Sequence, residues 1–215
     1  MRKILLTGFA PFAAETTNPS WDAVVALDGK MVDGAQIFSV QLPCEFDVSL
    51  QVLEQAIEQH QPELVLSLGQ AGGRVDITVE RVAINVNDAR IADNAGQQPI
   101  DTPIAQTGPV GYFSSLPIKA IVEALRAQGI PASVSHTAGT YVCNHVFYGL
   151  MHLLPNYPSI KRAGFVHVPY AQQQATAHPG AASMAVTTMT EAIRVMLETS
   201  LHTDHDLHVT GGITH

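Results

Sequence analysis

Short apolar runs alternate with amphipathic stretches along this chain. Runs typical of strands lie near residues 3–7, 35–41, 64–68, 77–86, 132–136 and 164–168. Patterns typical of helices lie near residues 20–28, 45–60, 117–128, 143–153 and 183–199. Strands that alternate with helices favour a mostly parallel sheet covered on both faces. The pattern predicts an α/β fold, a three-layer α/β/α sandwich, with mixed or antiparallel pairing expected at the longer strand 77–86.

The alternation continues without a linker, internal repeat or low-complexity stretch. We therefore expect a single domain over residues 1–200, a size that allows a substantial core. The remainder, 201–215, contains His202, His205, His208 and His215. Two glycines after Thr210 disfavour a helix there, and the pattern of a catalytic metal site is missing. A flexible C-terminal tail is the preferred interpretation.

Composition and charge restrict the class of protein. The net charge is −8, and no basic cluster exceeds Lys161-Arg162, which argues against a nucleic-acid surface. No apolar run is long enough to span a membrane, and the opening residues MRKILLTG are too short for the apolar region of a signal peptide. Two cysteines are too few for a disulfide framework, so we expect a cytoplasmic location.

The proportion of charged residues is low. They make up 14% of the chain, against a usual figure of about 25%, while 46% of residues are hydrophobic. Such a chain has apolar surface to cover, and self-association is the simplest way to cover it.

Cys143 has the most informative setting. Residues 135–145 read SHTAGTYVCNH, which predicts a short strand, a glycine turn and a helix that opens at the cysteine. The N-terminus of a helix stabilises thiolate over thiol, and its free N–H groups can bind a developing oxyanion. The alternative is a buried structural cysteine. Cys44 has no flanking acid or histidine pattern and is interpreted as structural or as lining a pocket.

Two further residues could complete a nucleophilic site with this cysteine. His167 ends an apolar strand that stops at Pro169, and Glu80 lies on the polar side of an alternating pattern. A histidine could take the thiol proton, and a carboxylate could orient the imidazole. The alternatives are a core histidine for His167, and for Glu80 a solvated residue paired with Arg81.

Other motifs exclude some chemistries. The run GQAGG at 69–73 matches neither a dinucleotide fingerprint nor a Walker loop, and no Gly-x-Ser-x-Gly elbow supports a serine hydrolase. The stretch 87–111 is long for a connection inside a compact domain. It is either a functional lid or a mobile surface loop.

Several motifs together resemble the pyroglutamyl peptidase I (pyrrolidone-carboxylate peptidase) family. The first is GQAG at 69–72 followed by ITVERVAIN at 77–85, and the second is Ser135 with AGTYVCN at 138–144. LTGFAPF at 6–12 and FVHVP at 165–169 also match, in the family's order. The resemblance covers roughly residues 1–200.

The resemblance implies a cysteine peptidase that removes N-terminal pyroglutamyl (5-oxoprolyl) residues from peptides through a thioester acyl-enzyme. It implies Cys143 as nucleophile, His167 as base and then acid, and Glu80 as the residue that orients the histidine. It implies a homotetramer. This route needs no metal and no cofactor.

The substrate ring is a neutral lactam, so its site should be apolar with a few hydrogen-bonding groups. We expect the Cys143 N–H to hold the oxyanion with help from the Arg90 region. Gln70 would supply a polar contact to the ring. The expected walls are Phe9, Phe12, Ile91, Tyr141 and Val142. The alternative for the two phenylalanines is ordinary core.

Three other functions remain open at this point. A related α/β architecture is found in nucleoside phosphorylases, although the cysteine would have no role there. A different cysteine amidase would use the same triad on another acyl group. A thiol-based redox sensor would need a reactive Cys143 but neither His167 nor Glu80.

Overall fold

The computed structural model describes residues 1–212. Its strands are β1 (Arg2–Phe9), β2 (Met31–Val32), β3 (Ala35–Leu42), β4 (Leu64–Gln70), β5 (Ile77–Glu80), β6 (Val82–Ile84), β7 (Gly111–Phe113), β8 (Ala132–Ser135), β9 (Arg162–Val168), β10 (Tyr170–Ala171) and β11 (Ser183–Met184). Its α-helices are α1 (Pro19–Val25), α2 (Val48–His60), α3 (Ile118–Ala127), α4 (Val142–Leu153), α5 (Gln172–Ala175) and α6 (Val186–His202). A 3-10 turn, Leu154–Asn156, follows α4.

Seven strands form the central sheet, in the order β2-β3-β1-β4-β9-β5-β8. The pairings are parallel except β2 with β3 and β5 with β9, which are antiparallel. Two small sheets, β6-β7 and β10-β11, lie outside it. The predicted sandwich with a mostly parallel, partly mixed sheet is confirmed.

Helices cover both faces of the sheet because the central strands are apolar on both sides. In β1, Ile4 and Leu6 belong to the same buried cluster as residues of α1, α3 and α6, whereas Leu5 belongs to the cluster that includes residues of α2 and α4. Successive side chains of a strand point to opposite faces, so a strand buried on both faces reads as a continuous apolar run. None of the helices within residues 1–212 is long and apolar enough to cross a membrane.

The prediction of one continuous strand over 77–86 is wrong. Of this segment, only β5 joins the central sheet, and all four of its residues are buried. The chain leaves the central sheet at Arg81 and then forms β6 in a separate small sheet. The expected antiparallel pairing does occur here, between β5 and β9. A continuous alternating pattern cannot reveal that its two halves belong to different sheets.

The residues after α6 contact the body of the domain. The Asp206 carboxylate accepts N–H bonds from Lys119 and Ala120 in the first turn of α3, where a negative charge is favoured. Arg81 donates to the carbonyl of Gly211 at 2.7 Å. His215 lies outside the described residues. Within them, no group of three or more His, Cys, Asp or Glu side chains could hold a metal ion.

Candidate active site

Three neighbouring strands and one helix converge on the region that contains the candidate residues. In the sheet register, Gly69 of β4 lies beside His167 of β9, and Thr78 of β5 lies on the other side of His167. Glu80 is two residues after Thr78 and therefore faces the same side of the sheet. Cys143 is the second residue of α4.

His167 and Glu80 form a buried pair. Nδ1 of His167 lies 2.8 Å from Oε1 of Glu80, and the two side chains are 4% and 0% exposed. A carboxylate only accepts hydrogen bonds, so the network assigns the imidazole proton to Nδ1. Nε2 is then left with its lone pair and can accept a proton.

Arg74 holds the Glu80 carboxylate from the other side. Its Nη1 lies 2.6 Å from Oε1 of Glu80 and also hydrogen-bonds the hydroxyl of Thr78, while its Nη2 donates to the carbonyl of Thr137 at 3.0 Å. The suggested Glu80–Arg81 pair is therefore wrong. Neighbouring residues on extended backbone point to opposite sides, and Arg81 turns away from the site.

The protonation states follow from burial and these contacts. Burial alone would raise the pKa of Glu80, but the hydrogen bond and charge of His167 and the charge of Arg74 lower it below its usual value. Burial lowers the pKa of His167, against the opposing effect of Glu80. At neutral pH the carboxylate is therefore ionised and the imidazole is neutral.

The pKa of the Cys143 thiol moves in the direction opposite to the one expected from its helix position. Burial raises it above its usual value, the charges of Cys44 and Glu80 add to the rise, and only Arg74 opposes it. Loss of hydration therefore outweighs the helix terminus. The resting site pairs a neutral thiol with a neutral imidazole.

Buried polar side chains fix the start of α4. The amide of Asn144 accepts from the N–H of Ile84 at 3.0 Å and donates to the carbonyls of Ile84 and Val86. His145 accepts from the N–H of Asp47 through Nε2 at 3.1 Å. Burial lowers the pKa of His145 to about 4, so this acceptor stays neutral. These bonds hold the residues that directly follow Cys143.

Gly69 lets the sulfur of Cys143 approach the sheet closely. A Cβ at position 69 would lie 2.8 Å from Sγ of Cys143 and 3.0 Å from the ring of Phe165. The N–H of Cys143 lies in the first turn of α4 and has no carbonyl partner within the helix. The sulfur thus lies against β4 beside His167, next to a free backbone donor.

The thiol and the imidazole line the same cavity, which has a volume of about 180 Å³. Among the predicted wall and contact residues, Phe9, Phe12, Gln70 and Tyr141 line it as well. The remaining lining residues are Asn18, Cys44 and Ala138. The cavity is therefore mostly apolar, with the chemistry at one side.

Three predicted pocket residues do not line this cavity. Val142 is completely buried in the core beneath it, Ile91 is 37% exposed, and Arg90 is exposed. The loop that carries them borders the cavity, because Tyr141 donates to the carbonyl of Ala92 at 3.1 Å. Arg90 and Ile91 directly precede Ala92 in that loop.

Sequence reasoning missed Asn18 and Arg74, and it left the position of Cys44 open. Asn18 is recognisable from sequence only as the cap of α1, and Arg74 only as a charged residue in a turn. Cys44 lines the cavity, as one of its two interpretations proposed, and burial raises the pKa of its thiol to about 12. No local pattern shows that these residues meet.

Comparisons with known proteins agree with this geometry. The family model described as pyroglutamyl peptidase matches residues 2–203. The chain is 56% identical to a pyrrolidone-carboxylate peptidase of Pectobacterium carotovorum over 100% of both chains. It resembles the crystal structure of Bacillus amyloliquefaciens pyroglutamyl peptidase I, with a TM-score of 0.93, 49% identity and coverage of 96% of this chain and 100% of that one. The pyrrolidone carboxyl peptidase of Thermococcus litoralis superposes with a TM-score of 0.94 at 36% identity, covering 98% and 100%.

Proposed function

The chain belongs to the pyroglutamyl peptidase family, and on that premise we propose that Cys143 is its nucleophile, His167 its proton-transfer base and Glu80 the carboxylate that orients the base. As a member of that family it is a cysteine peptidase that removes N-terminal pyroglutamyl residues from peptides. One observation carries the assignment: the thiol and the imidazole line a single cavity, with Glu80 hydrogen-bonded behind the imidazole.

The first step forms the thioester. Nε2 of His167 takes the thiol proton as Sγ of Cys143 attacks the carbonyl carbon that joins the pyroglutamyl ring to the next residue. The imidazolium that results lies 2.8 Å from the ionised Glu80, which stabilises the new charge. The N–H of Cys143 at the helix start, with help from the Arg90 region, would stabilise the oxyanion.

The second step returns the enzyme to its resting state. The imidazolium of His167 gives its proton to the leaving amine, and the shortened peptide departs. His167 then takes a proton from water, which attacks the thioester carbonyl. Pyroglutamate leaves, and the sulfur of Cys143 recovers its proton from the imidazolium.

The cavity suits a neutral ring. Phe9, Phe12 and Tyr141 supply apolar walls, and Gln70 supplies a hydrogen bond. Among residues 1–212, none that lines the cavity has a carboxylate that would hold a free amino group. We assign Ile91 and Val142 to the outer and inner boundaries of the same site.

Exposed apolar side chains support self-association as a homotetramer. Val110 is 90% exposed, Phe113 73% and Ile100 58%. Large exposed apolar groups commonly mark interfaces. Light scattering coupled to size-exclusion chromatography tests the assembly. The proposed unit is a single catalytic domain over 1–200 in the cytoplasm, where the free thiols Cys44 and Cys143 would stay reduced.

Turnover of pyroglutamyl-aminomethylcoumarin, measured against prolyl- and alanyl-aminomethylcoumarin, tests the assignment. We expect Cys143→Ala and His167→Ala to abolish turnover, and Glu80→Gln to reduce it less, because the base remains. His202→Ala, at the exposed end of α6, is the matched control. Wild-type turnover in both His167→Ala and Glu80→Gln would refute the triad, even if Cys143 proved essential.

A further inference from the structure

Arg74 connects separate parts of the active site from outside the catalytic cavity, the one that the thiol and the imidazole line. It lies in the turn between β4 and β5, and its side chain is 25% exposed. Nη1 contacts Oε1 of Glu80 at 2.6 Å and the hydroxyl of Thr78, and Nη2 donates to the carbonyl of Thr137 at 3.0 Å. Arg74 lines a second cavity, the outer cavity, of about 340 Å³. One side chain thus joins β5 to the loop that leads into α4.

Two donors to the Glu80 carboxylate share one oxygen. Nδ1 of His167 lies 2.8 Å from Oε1, the atom that Arg74 also contacts. Oε2 is buried and has no hydrogen-bond partner among the residues that the structure describes. The hydroxyl of Ser135, which lies opposite Glu80 in β8, donates to the carbonyl of Thr137 instead. The orientation of the carboxylate therefore depends on the two bonds to Oε1.

The contact with Arg74 is electrostatic as well as geometric. Glu80 is fully buried, and a buried carboxylate takes up a proton unless hydrogen bonds or a cation stabilise its charge. The neutral imidazole of His167 supplies a hydrogen bond but no charge. The guanidinium of Arg74 therefore supplies a full positive charge before the imidazole acquires one.

The same positive charge opposes protonation of the pair that His167 and Glu80 form. Burial is the main cause of the low pKa of His167, Glu80 acts against it, and the charge of Arg74 lowers that pKa further. The other titratable groups around the pair are Cys44, Tyr141 and Cys143 in the catalytic cavity and Asp76 and His136 in the outer cavity. Removing Arg74 would raise the pKa of the pair whichever member takes the proton, because a nearby cation disfavours added positive charge on either.

We propose that Arg74 is a positioning residue that clamps the Glu80 carboxylate against His167 through their shared oxygen and holds it in register with the loop that leads into α4. This inference rests on the proposed active site. The carboxylate orients the imidazole only if the carboxylate itself is fixed and ionised, and the contacts of Arg74 meet both requirements. Because Arg74 lies outside the catalytic cavity, it acts through Glu80 rather than on the substrate.

Arg74→Met tests the proposal, because methionine keeps the length of the side chain but has neither charge nor donors. Arg74→Lys keeps the charge. The matched control is Arg126→Met, which also removes a cation and a bond to a carbonyl, that of Ala132, at the surface of α3. We expect kcat for pyroglutamyl-aminomethylcoumarin to fall about 10- to 100-fold in Arg74→Met, as for a misplaced catalytic group, and to stay within about threefold of wild type in Arg126→Met.

The pH profile separates positioning from a general structural effect. The acid limb of kcat/KM reports protonation of the catalytic pair in the free enzyme. It should move to higher pH in Arg74→Met and keep its wild-type position in Arg74→Lys, which should also recover part of kcat. A loss of packing alone would lower kcat without moving the limb. An unmoved limb in Arg74→Met, an equal movement in Arg74→Lys, or a kcat no lower than that of Arg126→Met would overturn the proposal.

A double-mutant cycle tests whether Arg74 acts through Glu80. In a Glu80→Gln background, Arg74→Met should cost little further activity, because the carboxylate that it positions is gone. The same comparison serves if Arg74→Met alone does not fold, since the double variant leaves no unpaired buried carboxylate. A further loss of about tenfold or more in that background would overturn the proposal. A wild-type enzyme that fails to cleave the pyroglutamyl substrate would instead refute the proposed function.

Discussion

Replacing Gly69 with alanine tests whether the Cys143 sulfur needs the space beside β4. The added Cβ would lie 2.8 Å from Sγ of Cys143 and 3.0 Å from the Phe165 ring. Non-bonded heavy atoms are comfortable at about 3.5–4.0 Å, so one neighbour must move by roughly 1 Å. The Phe165 ring is held between Phe9 and Phe147, with centroids 6.3 and 5.9 Å away. The sulfur is therefore the atom that moves.

The expected loss is catalytic more than structural. A displacement of about 1 Å in a reacting group costs on the order of 100-fold in rate. Overpacking a core typically costs about 1–3 kcal/mol in the free energy of unfolding. We expect Gly69→Ala to remain folded while its kcat for a pyroglutamyl fluorogenic substrate falls about 100-fold. Alkylation of Cys143 by iodoacetamide should slow as well, because the thiol leaves its position beside His167.

Gly164→Ala is the matched control in the neighbouring strand β9. Its Cβ would meet Leu116 and Ser114 at 2.5 Å, so it strains the sheet without touching the thiol. Denaturant unfolding gives the stability of both variants, and steady-state kinetics give kcat. Equal losses of kcat in the two variants at equal stability would refute the reasoning. A Gly69→Ala enzyme whose kcat stays within about threefold of the wild-type value would also refute the reasoning, because that difference is less than about 1 kcal/mol in the activation barrier.

Three further outcomes are expected. Iodoacetamide followed by mass spectrometry should show Cys143 modified well before Cys44, because Cys143 is more exposed than Cys44 and shares its cavity with the neutral imidazole of His167, which can take the thiol proton. Equal rates would contradict the assignment of the nucleophile. Phe9→Ala and Phe12→Ala should each lower kcat/KM by an amount equivalent to about 1–3 kcal/mol of transition-state stabilisation, while alkylation of Cys143 stays unchanged. Unaltered kcat/KM in both variants would mean that these rings belong to the core. The pKa of His145 is about 4 in the folded protein and about 6.5 in an unfolded chain, so the unfolded chain binds more protons than the folded one as the pH falls from 6.5 to 4. The titration of His145 should therefore lower the free energy of unfolding by roughly 2–3 kcal/mol between pH 7 and 4. An identical drop in His145→Gln would refute this.

Local patterns predicted the parts of the fold that depend on local chemistry. The strands β1, β4 and β9 were recognisable because strands buried on both faces are continuous apolar runs. The helix at Cys143 was recognisable because a glycine turn precedes it. The order of the motifs then indicated the family, and the matching relatives confirm it.

What could not be predicted depends on contacts between distant parts of the chain. The partner of Glu80 is Arg74 rather than Arg81, because β5 directs adjacent side chains to opposite sides. The direction of the Cys143 pKa depends on how deeply the thiol is buried, which no local motif records. Gln174 reaches Gln70 across more than a hundred residues, and its own neighbours in sequence give no indication of that contact.

The antiparallel strand β5 also affects which changes in chain length the enzyme can accept. The side chains of a strand alternate, so removing one residue between Ile77 and Glu80 would turn the carboxylate to the far side of the sheet, away from His167. The turn before β5 has no such alternation to preserve and needs only to return Arg74 to Glu80. Insertions and deletions in this family should therefore accumulate in the turn and spare the strand. An engineer who wishes to graft a loop near the catalytic cavity should cut the chain at 71–73 and leave β5 intact.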